Sequence, residues 1–157
     1  MKFILLSIGK TTRKYLEEGI AEYEKRIKKY LPFGIEVLKP PKIRRNTSSS
    51  LIKEEEGKAI LKYTGENDFI ILLDEKGTEY SSVEFSNFLQ EQMSSSWKNI
   101  VFITGGAYGF SDEIYKKANK KISLSKMTFS HQLVRLIFAE QLYRALTIWK
   151  GEPYHHE

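Results

Sequence analysis

VFITGGAYGF, Val101–Phe110, decides how the chain is read. A buried-type strand, Ile100–Thr104, runs straight into Gly105 and Gly106, and another glycine follows at Gly109. Glycine costs chain entropy and is kept where the backbone must take a positive φ or lie close to another group. Two readings fit these glycines: a tight strand-to-helix turn, and a bare backbone against which a ligand rests. The pattern is neither G-x-G-x-x-G nor a phosphate loop, because no G-K-[ST] follows, so a phosphate cradle is unsupported.

Working outward, Lys2–Ile8 and Asp68–Asp74 (DFIILLD) are also nearly all apolar, and Gly34–Leu38 and Ile122–Leu124 read as shorter strands. Such runs belong to strands covered on both faces. Helical patterns alternate with them. Arg13–Tyr30 carries a stripe of Tyr15, Leu16, Ile20, Tyr23, Ile27 and Tyr30, and Leu51–Tyr63 follows. Ser81 and Glu84 form an S-x-x-E capping box that opens a helix to about Met93. Ser111–Ala118 is a short helix, and Ser130 is placed as the N-cap of a long one, His131–Trp149. Glu75–Tyr80 reads as a turn. Lys39–Ser50, with two prolines, three serines and four basic residues, reads as a mobile basic loop.

Strands alternating with helices imply an α/β fold, a mostly parallel sheet with helices on both faces. A length of 157 residues fits one domain, 1–157. In such sheets ligands sit beyond the carboxyl ends of strands. Three ends stand out here: Leu73–Asp74, Thr104–Gly109 and Leu124–Phe129.

Composition narrows the chemistry. The absence of cysteine excludes disulfides, thiolate metal sites and cysteine nucleophiles. Three histidines without metal-ligand spacing give no expectation of a metal. No apolar run approaches the roughly 18 residues that span a bilayer, and MKFILLSIGKTTRKY lacks a cleavage site, so a soluble cytoplasmic protein without a membrane partner is expected. The net charge of +5 favours an anionic partner such as RNA. Basic residues gather at Lys25, Arg26, Lys28 and Lys29, at Lys39, Lys42, Arg44 and Arg45, and at Lys116, Lys117, Lys120 and Lys121. Each group by itself is a solvated face; together they point to an RNA surface.

SLSKMTFSHQLVR, Ser123–Arg135, passes from a brief strand through a hydroxyl-rich loop into the long helix. On its residues alone it is a well-capped connection with Met127 and Phe129 as core plugs. The helix is apolar on more than one face, so one side should meet the sheet and the other a second subunit. Glu140 and Arg144 are spaced for an i,i+4 pair. Arg135 reads either as a ligand contact or as the partner of a carboxylate. The tail, GEPYHHE, brings His155 and His156; histidine accepts a proton near neutral pH, but chain ends commonly fray.

FITGGAYGF, SLSKMTFSHQLVRLIFAEQLYRAL and GEPYHHE, with ILLSIGK at the start and YEKR in the first helix, resemble the RlmH family of SPOUT-class ribosomal RNA methyltransferases from end to end. The resemblance implies a C-terminal trefoil knot, a homodimer and S-adenosylmethionine as methyl donor. It places donor contacts at Leu73, at Gly105 and Gly106, and at Leu124, Ser125, Lys126, Met127, Thr128 and Phe129. It implies N3 of a pseudouridine in a hairpin of large-subunit ribosomal RNA, in the assembled ribosome, as the acceptor. The tail of one subunit would complete the other's site through Tyr154, His155 and His156. N3 must lose a proton, so His155 is the candidate base and His131 the alternative. Tyr154 or Tyr108 would stack on the acceptor, and Arg135 or Arg144 would bind phosphate or the donor carboxylate. The rival is a non-catalytic, ribosome-associated RNA-binding protein on the same fold, which keeps the basic groups and lacks the donor pocket.

Overall fold

The structure is a computed structural model and describes residues 1–156. Strands and helices alternate without exception: β1 Lys2–Ile8, α1 Lys14–Ile27, β2 Phe33–Leu38, α2 Ser49–Tyr63, β3 Asp68–Glu79, α3 Ser82–Met93, β4 Asn99–Thr104, α4 Asp112–Lys117, β5 Lys120–Ser123 and α5 Leu133–Lys150. The strands form a single five-stranded sheet in the order β2-β1-β4-β3-β5. Every neighbouring pair is parallel.

The apolar runs of β1, β3 and β4 are continuous because each strand fills two cores. Phe3, Leu5, Ile71, Leu73, Ile100 and Phe102 face α3 and α5, where they meet Phe85, Leu89, Phe138 and Leu142. The alternate residues, among them Leu6, Leu72 and Ile103, face Ile60 of α2 and Ile114 of α4. Phe102 and Phe138 lie with ring centroids 4.6 Å apart. The helix α5 packs against both α1 and α3. A Cβ on Gly19 of α1 would stand 2.9 Å from Leu136, and Ser86 of α3 donates to the carbonyl of Ala145 at 2.8 Å. Much of the second apolar side of α5 is therefore covered within the chain.

The capping box forms as read: Glu84 N donates to Ser81 Oγ at 3.2 Å, and Ser81 N donates to Glu84 Oε2 at 2.7 Å. Several boundaries differ from the sequence expectation, among them the end of α1, at Ile27 and not Tyr30, and β5, which is Lys120–Ser123 and not Ile122–Leu124. The expected turn Glu75–Tyr80 is mostly strand, since β3 continues to Glu79. Ile122 of β5 pairs with Leu73 and again with Thr78, so residues 74–77 arch out between the two contacts. The expected basic loop ends early, because Ser48 Oγ accepts from Leu51 N at 3.2 Å and starts α2 at Ser49. The long helix begins at Leu133, two residues later than expected, although Ser130 Oγ does accept from Leu133 N at 3.2 Å. Among the described residues no helix is long and apolar enough to cross a membrane.

Candidate active site

The carboxyl ends of β3, β4 and β5 open into one cavity of about 540 Å³. That volume lies within the range of small-molecule sites. Its walls are the arch after Leu73, the glycine loop 105–110 and the β5–α5 connection, closed by Tyr115 of α4 and Val134 of α5. Leu73, Gly105, Gly106, Leu124, Ser125, Met127, Thr128 and Phe129 all line it. Lys126 does not; it is exposed outside the cavity.

Hydrogen bonds fix the arch. Asp74 Oδ1 accepts from Lys76 N at 2.8 Å, a local turn of the Asx type. The Tyr115 hydroxyl donates to the other oxygen of Asp74. Burial, with that hydrogen bond, pushes the Tyr115 phenol upward. Thr128 Oγ1 donates to Glu75 Oε2 at 2.7 Å and ties the β5–α5 connection to the arch. Within that connection Ser123 Oγ donates to Ser125 O at 2.8 Å, and Met127 N donates to Ser125 Oγ at 2.9 Å. The hydroxyls singled out by the sequence thus fold the loop. Met127 is no core plug: it is 78% exposed at the cavity edge.

The glycine loop folds on itself. Gly109 N donates to Gly106 O at 3.2 Å, and Gly109 has φ +82°. A Cβ at Gly105 would meet Gly109 Cα at 3.3 Å, and one at Gly106 would stand 2.4 Å from Glu56 Oε2. The strand-to-helix turn is therefore what these glycines visibly serve. One side of the loop is bare because the chain and a carboxylate press against it, and the loop also lines the cavity. Glu56 of α2 is only 8% exposed, and burial pushes its carboxyl pKa up. Sequence reasoning missed it, since it follows Glu54 and Glu55 in an ordinary charge run. The one local signal is the next residue, Gly57, where a Cβ would stand 2.5 Å from Ser111 Oγ. Consecutive residues of α2 therefore grip both ends of the β4–α4 connection.

Arg135 lies elsewhere. It is 2% exposed and donates to Ile8 O at 2.9 Å, Gly9 O at 2.8 Å and Thr11 Oγ1 at 3.1 Å. It neither lines the cavity nor pairs with a carboxylate among the described residues; it pins the end of β1 to α5. Burial lowers its pKa.

The tail is also away from the cavity of its own chain. Tyr154 packs edge-on against Tyr143 at 4.7 Å, and Arg144 stands 4.8 Å over its ring. Arg144 Nε donates to Glu140 Oε1 at 3.1 Å, the expected pair, while Arg144 Nη1 is 3.4 Å from His155 Nδ1. Burial is the main cause that raises the Tyr154 phenol. The tail folds back onto the middle of α5, at Glu140, Tyr143 and Arg144, whereas His131 and Val134 near the start of that helix line the cavity. Neither Tyr154 nor His155 lines the cavity of its own chain. Of the alternatives, His131 and Tyr108 line it. His156 is exposed, and Glu157 lies outside the described residues. No group of three or more metal-ligating side chains comes together among the described residues.

The family model described as "Predicted SPOUT methyltransferase" matches residues 1–155. A protein of Parabacteroides distasonis named ribosomal RNA large subunit methyltransferase H is 52% identical over 157 residues, covering 100% of both chains. Its namesake from Cytophaga hutchinsonii is 54% identical over 156 residues, covering 99% of this chain and 100% of the other. Among solved structures, "a probable methylase family protein" from Haemophilus influenzae Rd KW20 aligns with a TM-score of 0.51 at 11% identity, over 95% of this chain. The chain spans 66% of the length of that structure, and the likeness speaks to the fold.

Proposed function

Since the chain belongs to the SPOUT methyltransferase family, at full length within its ribosomal RNA large subunit methyltransferase H group, we propose that it transfers a methyl group from S-adenosylmethionine to large-subunit ribosomal RNA. The acceptor in this reading is N3 of a pseudouridine in the assembled ribosome, and the working unit is a cytoplasmic homodimer. The observation that carries the proposal is the convergence of three strand ends on one cavity.

The residues present fit the donor. Leu73, Leu124, Phe129 and Val134 offer apolar surface for an adenine ring, and the loops 105–110 and 124–128 offer main-chain polar groups beside it. When bound, S-adenosylmethionine supplies a methyl group on a sulfonium that is already activated for in-line displacement. The work left to the chain is to hold donor and acceptor in line. Tyr108, 56% exposed at the cavity, is placed to stack on the incoming base. His131 is the base candidate within the chain, and His155 acts only if a partner subunit brings it. In the homodimer of this reading, the tail of one subunit would complete the cavity of the other. The trefoil knot of the family accords with the path of the chain. The segment after β5 is tied to the arch through Thr128 and Glu75, then turns back to pack against α1 and α3.

A non-catalytic RNA-binding protein on this fold would not require the cavity. The deciding experiment is incubation of unmethylated ribosomes with the protein and S-adenosylmethionine, followed by mass mapping of the RNA. One new methyl group on a large-subunit pseudouridine is expected. Ribosome binding without methylation, and no change in melting temperature with S-adenosylmethionine, would favour the rival.

A further inference from the structure

The wall of the strand-end cavity fixes the carboxylate of Asp74 from two sides. Oδ1 accepts from Lys76 N at 2.8 Å, and Oδ2 accepts from the Tyr115 hydroxyl. Tyr115 is itself steadied by Phe110, edge to face at 5.9 Å, and Phe110 is buried. A carboxylate oxygen accepts more than one hydrogen bond, so these contacts orient Asp74 without removing its charge.

The sign of this wall runs against that of the chain. The net charge is +5, yet the cavity is lined by Asp74 and Glu75, with Lys76 as its one lysine or arginine among the described residues. Glu75 and Lys76 are both exposed, opposite in sign and adjacent, so they offset each other and water screens them. Asp74 is half-buried and screened less. Tyr115 registers the field: burial, the hydrogen bond to Asp74 and the charges of Asp74, Asp112 and Glu75 all push its phenol upward.

We propose that Asp74 is a specificity-determining residue whose fixed carboxylate favours the sulfonium of S-adenosylmethionine over the neutral thioether of S-adenosylhomocysteine, the donor without its methyl group. The inference rests on the methyltransferase reading above and adds to it a residue that tells donor from product. The two ligands share their adenine, ribose and amino-acid ends; they differ by the methyl group and one positive charge. That charge disappears on transfer, because the C–S bonding pair stays on sulfur when the methyl group leaves. A carboxylate acting across a partly hydrated cavity changes relative affinity by about three- to tenfold. As a turn former alone, Asp74 would be replaceable by asparagine with no change in ligand preference.

The test is calorimetry of the full chain and of Asp74→Asn with S-adenosylmethionine, S-adenosylhomocysteine and sinefungin, whose ammonium stands where the donor has its sulfonium. Asparagine keeps a side-chain oxygen for the Lys76 amide and a polar group for Tyr115, and melting temperature checks folding. In Asp74→Asn the affinities for S-adenosylmethionine and sinefungin should fall by about three- to tenfold, while that for S-adenosylhomocysteine holds. Glu75→Gln should leave the donor-to-product ratio within about twofold of the wild type. In the wild type, added sodium chloride should lower that ratio, a reading that needs no variant to fold. Equal losses for all three ligands in Asp74→Asn would tie Asp74 to the part they share and overturn the proposal. Unchanged affinities, a ratio indifferent to salt, or an equal effect in Glu75→Gln would also overturn it. Each of these outcomes leaves the methyltransferase reading standing, whereas a wild-type chain that binds none of the three ligands would overturn both.

Discussion

Gly77 and Ile122 meet backbone to backbone: a Cβ on Gly77 would stand 2.5 Å from the Ile122 nitrogen. Ile122 pairs with Leu73 before the arch and with Thr78 after it, so one residue of β5 closes both feet of a wall of the cavity. Because the obstruction is main chain, no rotamer change relieves it. Gly77→Ala should destabilise the chain by about 1–3 kcal/mol in urea denaturation and weaken donor binding. Wild-type stability and affinity in that variant would show that the arch does not depend on this contact.

Arg135 holds Ile8 and Gly9 through two of its guanidinium nitrogens, at 2.9 and 2.8 Å. Arg135→Ala would leave buried carbonyls without donors and should cost about 2–3 kcal/mol. Arg135→Lys should recover only part of this, because one ammonium cannot reproduce the planar fork. Equilibrium denaturation of both variants is the measurement. A variant of wild-type stability that no longer transfers methyl groups would instead place Arg135 in the chemistry.

Glu56 sets a pH dependence whose sign is fixed by its environment. Burial raises its folded pKa above the ordinary carboxyl value, so the folded chain binds more protons than the unfolded chain in the window between the two. Its contribution to stability therefore falls as pH rises through that window. Glu56→Gln should remove this slope and make the chain more stable near neutral pH. Denaturation at about pH 5 and about pH 7 tests it. An unchanged slope, or lower stability at neutral pH, would mean that the carboxylate is a needed hydrogen-bond acceptor.

The position of the tail predicts complementation between subunits. A chain truncated before Glu152 keeps its cavity and lacks a tail to lend; Gly105→Val keeps the tail and crowds the loop, where even a Cβ would stand 3.3 Å from Gly109. Each should be inactive alone. Mixed and re-associated in equal amounts, half the dimers are hybrids and each hybrid has one complete site, so about a quarter of wild-type methyl transfer should return. No recovery after verified subunit exchange would rule out tail sharing.

The sheet was legible in the sequence because both of its faces are buried, which leaves near-continuous apolar runs at β1, β3 and β4. The three strand ends that build the cavity were legible for the same reason. The arch was not, because Glu75–Tyr80 has turn composition and its strand character comes from pairing with Ile122 and Ser123, over 40 residues away. Arg135 could not be assigned either, since its partners are carbonyls, which no side-chain pattern reveals. The tail cluster lies on aromatic contacts between Tyr143 and Tyr154, residues whose spacing carries no helical or strand period.

The central claim is that the strand-end cavity is the donor site, and a crystal structure of the chain soaked with S-adenosylmethionine tests it most directly. The account predicts the nucleoside between Leu73, the Gly105–Gly109 loop and the Leu124–Phe129 segment, with its methyl group open toward Tyr108 and His131. Donor bound at another place, or a crystal soaked at saturating donor with this cavity empty, would contradict it.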